Sequence, residues 1–280
     1  MYSKDYLVRM ELNGMENFNP IVLAFLGTGL AAVSTAIGAA SVFFFKNEVK
    51  LSLHKLFLGF AAGLMIAASV FALIIPAFEF AEELGMNEWL WVSLGFMLGG
   101  LFLLGVDLAL PKLYQKLKKG DEALEPSFRR AIMLVSAISL HNIPEGLAVG
   151  LILGSAAKSG SPYALAGAAA LALAMILHNL PEGAAVSLPL RKEGYSTWKS
   201  FGFGALSGVV EPIAGVLGVI LVGHIEGLMP ILLGFAAGAM IYVVAQELIP
   251  ESQSKKHPYA GTIGVMFGFL LMMLIEVILG

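Results

Sequence analysis

"HNIPEGLAV" (His141–Val149) and "HNLPEGAAV" (His178–Val186) lie 37 residues apart, and each sets a histidine, an asparagine, a proline and a glutamate inside an otherwise apolar run. Their surroundings decide what such blocks can be. The 280-residue chain is 58% hydrophobic and 13% charged, whereas soluble domains average about 45–50% apolar and about 25% charged residues. Mean hydropathy is +0.83. A bilayer core about 30 Å thick needs roughly 20 helical residues to cross it, and apolar runs of that length recur along the whole chain. Eight spans are predicted, over residues 20–45, 51–76, 89–110, 129–155, 163–190, 200–223, 227–250 and 259–279. The expectation is an all-α membrane protein in which residues 1–280 form a single integral domain within the lipid bilayer. A net charge of −3 points to no nucleic-acid partner. The lack of cysteine excludes disulfides and thiolate metal sites. The polar N-terminus lacks the build of a cleaved signal peptide, so the first span is expected to be retained.

An even number of spans places both termini on one side. Connectors 1, 3, 5 and 7 carry most of the basic residues: Lys46, Lys50 and Lys55; Lys112, Lys116, Lys118, Lys119, Arg129 and Arg130; Arg191, Lys192 and Lys199; Lys255 and Lys256. Only Lys4, Arg9 and Lys158 lie on the other side. Basic connectors stay in the cytoplasm, so both termini are expected to be extracytoplasmic in a plasma (inner) membrane. Trp89, Trp91, Tyr163, Trp198 and Tyr259 fall at expected interfaces, where aromatic belts form. The connector "EFAEELGMNE" (residues 79–88) holds four glutamates and no base, as an external cation vestibule or a plain solvated loop would.

"LGFAAGLMI" (Leu58–Ile66) returns as "LGFAAGAMI" (Leu233–Ile241), identical at eight of nine positions, and each leads toward a proline, Pro76 or Pro250. These copies fall in spans two and seven, and the HN-x-PEG blocks fall in spans four and five. Both pairs are antiparallel. One pseudo-two-fold axis in the membrane plane would relate spans 1–3 to 6–8 and span 4 to 5, an inverted-topology repeat characteristic of transporters.

On a helix, His141 and Glu145 are i, i+4 neighbours, as are His178 and Glu182, with Asn142 and Asn179 one turn from the same glutamates. Glu211 has a similar depth in span six, and Met65 and Met240 come from the centres of spans two and seven. A charge at the bilayer centre costs on the order of 2.5–3.5 kcal/mol. Three glutamates must therefore face each other or a cavity, with cations or protons between them. Imidazole and carboxylate donors without thiolate suit Zn²⁺ and similar divalent ions. Pro144 and Pro181 each lack an N–H and crowd the carbonyls of Leu140 and Leu177, so a kink and a freed carbonyl are expected beside each glutamate. A lone histidine or methionine in a span is ordinarily a packing residue. A duplicated block plus Glu211 is not.

These residues resemble the ZIP (Zrt/Irt-like) family of divalent-metal transporters, especially its short bacterial members. The similarity spans nearly the whole chain and includes "EP" in span six and "QELIPES" in span seven. The resemblance implies a binuclear centre. One site would use Met65, His141, Glu145, His178 and Glu182; its neighbour would use Asn142, Glu145, Asn179, Glu182 and Glu211, with Glu145 and Glu182 bridging. It further implies Glu79, Asp107 and Glu276 as metal-binding or structural carboxylates, and Gln246, Glu247 and Glu251 toward a cytoplasmic exit. Gln246 stands where many relatives carry histidine. The connector between spans three and four holds no histidine, unlike the metal-sensing stretch of many eukaryotic relatives. His54, His224 and His257 receive no role.

The implied function is import of zinc by alternating access, with Zn²⁺ as transported substrate and Cd²⁺, Fe²⁺, Mn²⁺, Co²⁺ or Ni²⁺ open as others. Spans 1, 4, 5 and 6 would carry the metal. Homodimer assembly stays open. The chemical rival is an intramembrane metal-dependent hydrolase, which a His/Glu centre could serve, although no H-E-x-x-H motif is present.

Overall fold

The computed structural model describes residues 19–44, 51–117, 126–192, 194–224, 226–253 and 258–279. Their regular structure is helical. The principal elements are α1 (Pro20–Ala39), α2 (Leu51–Ala68), α3 (Ile75–Glu83), α4 (Glu88–Leu117), α5 (Pro126–Ser159), α6 (Pro162–Lys192), α7 (Thr197–Ser207), α8 (Val210–His224), α9 (Met229–Val243), α10 (Ile249–Ser252) and α11 (Pro258–Leu279). Among the described residues, seven helical segments are long and apolar enough to cross a membrane: Pro20–Phe44, Lys55–Glu83, Glu88–Ala109, Tyr163–Arg191, Thr197–Val222, Met229–Ser252 and Tyr259–Ile278. Helices suit this setting because each satisfies its own backbone where water is scarce.

Helix starts follow local chemistry. Asn19 caps α1, its Oδ1 accepting the Ile21 N–H at 2.9 Å, with Pro20 in the first helical position. Ser196 does the same for α7 through the Lys199 N–H at 3.3 Å. Trp89, Tyr163, Trp198 and Tyr259 are each more than half exposed near the starts of their helices, where an amphipathic ring meets the membrane surface.

Two expectations about local structure are corrected. The second span does not stop at Pro76 but continues as α3 to Glu83, so only residues 84–87 connect it to α4. Glu79, Glu82 and Glu83 are helical rather than in a loop. Pro76 is accommodated by a wider π-helical turn, Ser69–Ile74, in which the Ile75 N–H reaches back five residues to the Val70 carbonyl. A second π-helical turn, Val244–Leu248, precedes Pro250, with the Ile249 N–H donating to Val244. Proline has no N–H and crowds the carbonyl four residues earlier, and a π-turn shifts that register by one. By contrast, helical backbone runs through Pro144 in α5 and through Pro181 and Pro189 in α6. The sixth span breaks at Gly208–Val209, between α7 and α8.

The most extensive helix–helix interfaces join α2 to α11, α4 to α9, α5 to α8 and α1 to α6. Each is closed by glycine. A Cβ on Gly63 of α2 would strike the Val265 carbonyl of α11, and one on Gly238 of α9 would strike the Phe96 carbonyl of α4. Small residues let membrane helices approach until backbones touch. Gly238→Leu is therefore expected to destabilise by about 3 kcal/mol or more, above the usual range for overpacking because the obstacle is backbone. Gly105, with nothing within 4 Å of a built Cβ, should accept alanine with a gain of up to about 1 kcal/mol. Thermal unfolding of the two detergent-solubilised variants checks the contrast.

Candidate metal centre

The HN-x-PEG blocks lie on α5 and α6, and Glu211 enters from the first turn of α8. The break before α8 and the glycine at 146 bring Glu211 inward. A Cβ on Gly146 would fall 2.9 Å from the Glu211 Cα, so glycine directly after Glu145 permits that approach. Asn142 (0% exposed), Glu145 (1%), His178 (3%), Asn179 (0%) and Glu211 (1%) are all buried. Glu182 is 11% exposed.

Glu211 anchors the amides. Its Oε1 accepts from Asn179 Nδ2 at 2.7 Å and from Asn142 Nδ2 at 3.3 Å. The Asn142 amide also donates to the Ser207 carbonyl at 3.2 Å, in the last turn of α7. An ionised carboxylate only accepts, so both asparagines must turn their N–H₂ groups toward Glu211 and their oxygens away. Glu145 and Glu182 flank His178: His178 Nε2 lies 3.3 Å from Glu145 Oε1 and 3.9 Å from Glu182 Oε2. One potential ligand atom from each of these three residues lies within 4.8 Å of the others. Zinc holds such ligands at about 2.0–2.2 Å, so only a slight contraction would let one ion touch all three.

Several of these polar atoms have no hydrogen-bond partner among the described residues: Asn142 Oδ1, Asn179 Oδ1, Glu145 Oε2, Glu182 Oε2 and His178 Nδ1. Buried polar groups are normally paired. Four of the five are oxygen acceptors, the deficit that a cation fills.

A cavity of about 310 Å³ leads away from this cluster. Glu145, His178 and Glu182 line it, as do Leu58 and Ala61 of α2 and the carboxylates Glu247 and Glu251. A second cavity, of about 440 Å³, is lined by Glu79, Glu276 and Tyr163 with Ser155 and Pro76. Glu276 Oε2 is buried there without a partner among the described residues. Gln246 is exposed and stands apart from the residues lining either cavity. Met65 is fully buried on α2, two turns along from Leu58, and packs in the main apolar core, as does Met240. The His141 side chain lies outside the described residues; its backbone is in α5. The basic connector charges of residues 45–50, 118–125 and 254–257, with His257, also lie outside them.

Two participants escape the sequence reading. The Ser207 carbonyl orients Asn142, and the only hint is the Ser207–Gly208 pair as a helix stop. Tyr242 Oη donates to Asp107 Oδ2 at 2.7 Å across α9 and α4, a contact between helices that no local pattern encodes.

Comparison with known proteins places the chain in a family. The family model described as ZIP Zinc transporter matches residues 115–276. "Zinc transporter ZIP11" of Xenopus tropicalis is 37% identical, covering 95% of this chain and 100% of the relative. "Zinc transporter GufA" of Myxococcus xanthus is 35% identical over 90% of this chain and 96% of its own length. "Zinc transporter ZIPB" of Bordetella bronchiseptica is 35% identical over 95% and 84%.

If the amides serve Glu211, Asn179→Leu should leave that carboxylate short of a donor and destabilise the metal-free protein by roughly 1–3 kcal/mol. A lower thermal midpoint in chelator-treated detergent samples is the expected readout. The likeness in sequence and the His/Glu/Asn cluster lead to one classification: this chain belongs to the ZIP zinc transporter family.

Proposed function

We propose that the protein carries zinc across a membrane into the cytoplasm through a binuclear centre between α5, α6 and α8. The observation that carries this reading is the set of buried acceptor oxygens at Asn142, Asn179, Glu145 and Glu182, of which Glu145 and Glu182 also line a carboxylate-bearing cavity. One ion is held by Glu145, His178 and Glu182 with Met65 and His141. Its neighbour is held by Asn142, Asn179 and Glu211, with Glu145 and Glu182 shared. The names of the relatives support zinc as substrate, and the nitrogen and oxygen ligands also admit cadmium and other divalent ions. With transporters as relatives, the hydrolase reading is not favoured.

The architecture proposed for this task has eight spans, α5 being the eighth member beside the seven above. At 34 residues it is about 51 Å long at about 1.5 Å per residue. Two features support the inverted repeat. Each copy of "LGFAAG" runs into a π-helical turn three residues after its last matching isoleucine. Exchanging spans 1–3 with 6–8 and 4 with 5 turns the α2–α11 interface into α9–α4, and α5–α8 into α6–α1. Those are the four most extensive interfaces. The resemblance suggests how these pairs are grouped in motion, α1, α5, α6 and α8 against α2, α4, α9 and α11. In alternating access the first group, with its ions, moves against the second. The basic connectors stay cytoplasmic and both termini stay outside.

Zinc entry into sealed proteoliposomes with a trapped fluorescent indicator tests the proposal. Saturable entry in wild type, lost in Glu145→Ala/Glu182→Ala, is the expected result. Binding by folded, inserted protein without entry would sink it. A metal count separates the two sites: Glu145→Ala should lower bound zinc at both, whereas Glu211→Ala should spare the His178 site. Equal loss in the two variants would refute the division.

A further inference from the structure

Lys55 is fully buried (0% exposed), while the other lysines and arginines with described side chains, Lys112, Lys158, Arg191 and Lys199, are exposed. Lysine is almost never fully buried without a counter-charge to hold it. The position of Lys55 limits what that charge does. Three- and four-residue steps from Lys55 along α2 reach Leu58, Ala61 and Met65, one continuous helix face. Leu58 and Ala61 are walls of the cavity that Glu145, Glu182, Glu247 and Glu251 also line.

The same end of α2 is stacked on the segment that carries Glu251. A Cβ on Gly59 would strike the Gly261 carbonyl at the start of α11, and one on Gly261 would strike the backbone of Ser252 in α10. Helix α10 also packs directly on α2. Lys55 and Glu251 thus lie on directly packed helices, α2 and α10, beside the cavity. No lysine or arginine, Lys55 included, is among the described residues that line the cavity itself. Arg191, near the Pro189 wall, is engaged with the Tyr195 carbonyl at 2.8 Å.

We propose that Lys55 is a tethered counter-cation at this mouth, its ammonium competing with the metal for the Glu247 and Glu251 carboxylates. The inference rests on the transport reading above. Glu247 and Glu251 are four residues apart, and both line a confined cavity. Two such carboxylates would hold a divalent ion firmly, whereas conduction requires every stop on a path to be weak enough to leave. A fixed positive charge lowers the affinity of that stop without closing it. Lysine suits the role because its charge is compact and its stem is flexible. Lys55 thereby sets how long an ion lingers at the exit.

The experiment compares wild type, Lys55→Met and Lys55→Arg as full chains in proteoliposomes. It reads zinc entry by trapped indicator and zinc retained per purified chain by elemental analysis. Lys55→Met should retain one more zinc per chain and admit zinc at least about fivefold more slowly, the factor that one unit charge exerts at about 4 Å even through water. Lys55→Arg, which keeps the charge, should behave as wild type; a merely space-filling lysine would not produce that split. Wild-type retention and entry in Lys55→Met would overturn the proposal. If Lys55→Met fails to insert, Lys55→Met/Glu251→Gln decides: recovered folding supports the coupling to Glu251, and continued failure overturns it. Wild type that binds zinc but admits none would refute transport, while the retention comparison still judges Lys55.

Discussion

Glu145, Glu182 and Glu211 are withdrawn together into a helical bundle built to sit in lipid, and the rest of the structure answers that concentration of negative charge. Ionised groups at membrane depth are tolerated only with partners or water at hand. Glu211 finds its partners in two asparagine amides. Glu145 and Glu182 stand on either side of His178 and keep acceptor oxygens that no described residue satisfies. The cluster as a whole is left rich in buried acceptors, the feature on which the transport proposal rests.

The asparagines link the three glutamate-bearing helices. Because Glu211 accepts from both, the amide oxygens turn outward and join the acceptor set. The polarity of the centre is thus passed from α8 through α5 and α6. Cavities lined by carboxylates lie at Glu79 and Glu276 and, separately, at Glu247 and Glu251. Each contains residues next to or within a π-helical turn and its proline. Those wide turns reconcile a proline with an uninterrupted span, and α-helical register there would place Glu79 and Glu251 on a different side of their helices.

Glycine makes the approach of the helices close enough for this arrangement. At Gly146 it admits the backbone of Glu211 beside Glu145. At the four main interfaces it lets carbonyls lie where a Cβ would be. Lipid supplies no hydrophobic drive between helices, so close packing and hydrogen bonds hold them together. The same residues that build the scaffold therefore set the position of the His/Glu/Asn cluster.

Much of this was legible in the sequence. Apolar run lengths anticipated the seven segments that are long and apolar enough to cross a membrane, because bilayer thickness sets helix length. The pairing of His178 with Glu182 follows from 3.6 residues per turn and needs no tertiary knowledge. What crosses between helices was not legible. Asn142 meets Glu211 69 residues away, and Asn179 meets it 32 residues away. The extension of the second span past Pro76, the break at Gly208 and the complete burial of Lys55 were likewise hidden. Helical periodicity is a property of a few neighbouring residues and can be read along the chain. The partner on another helix depends on how backbones dock, and only the packed bundle decides that.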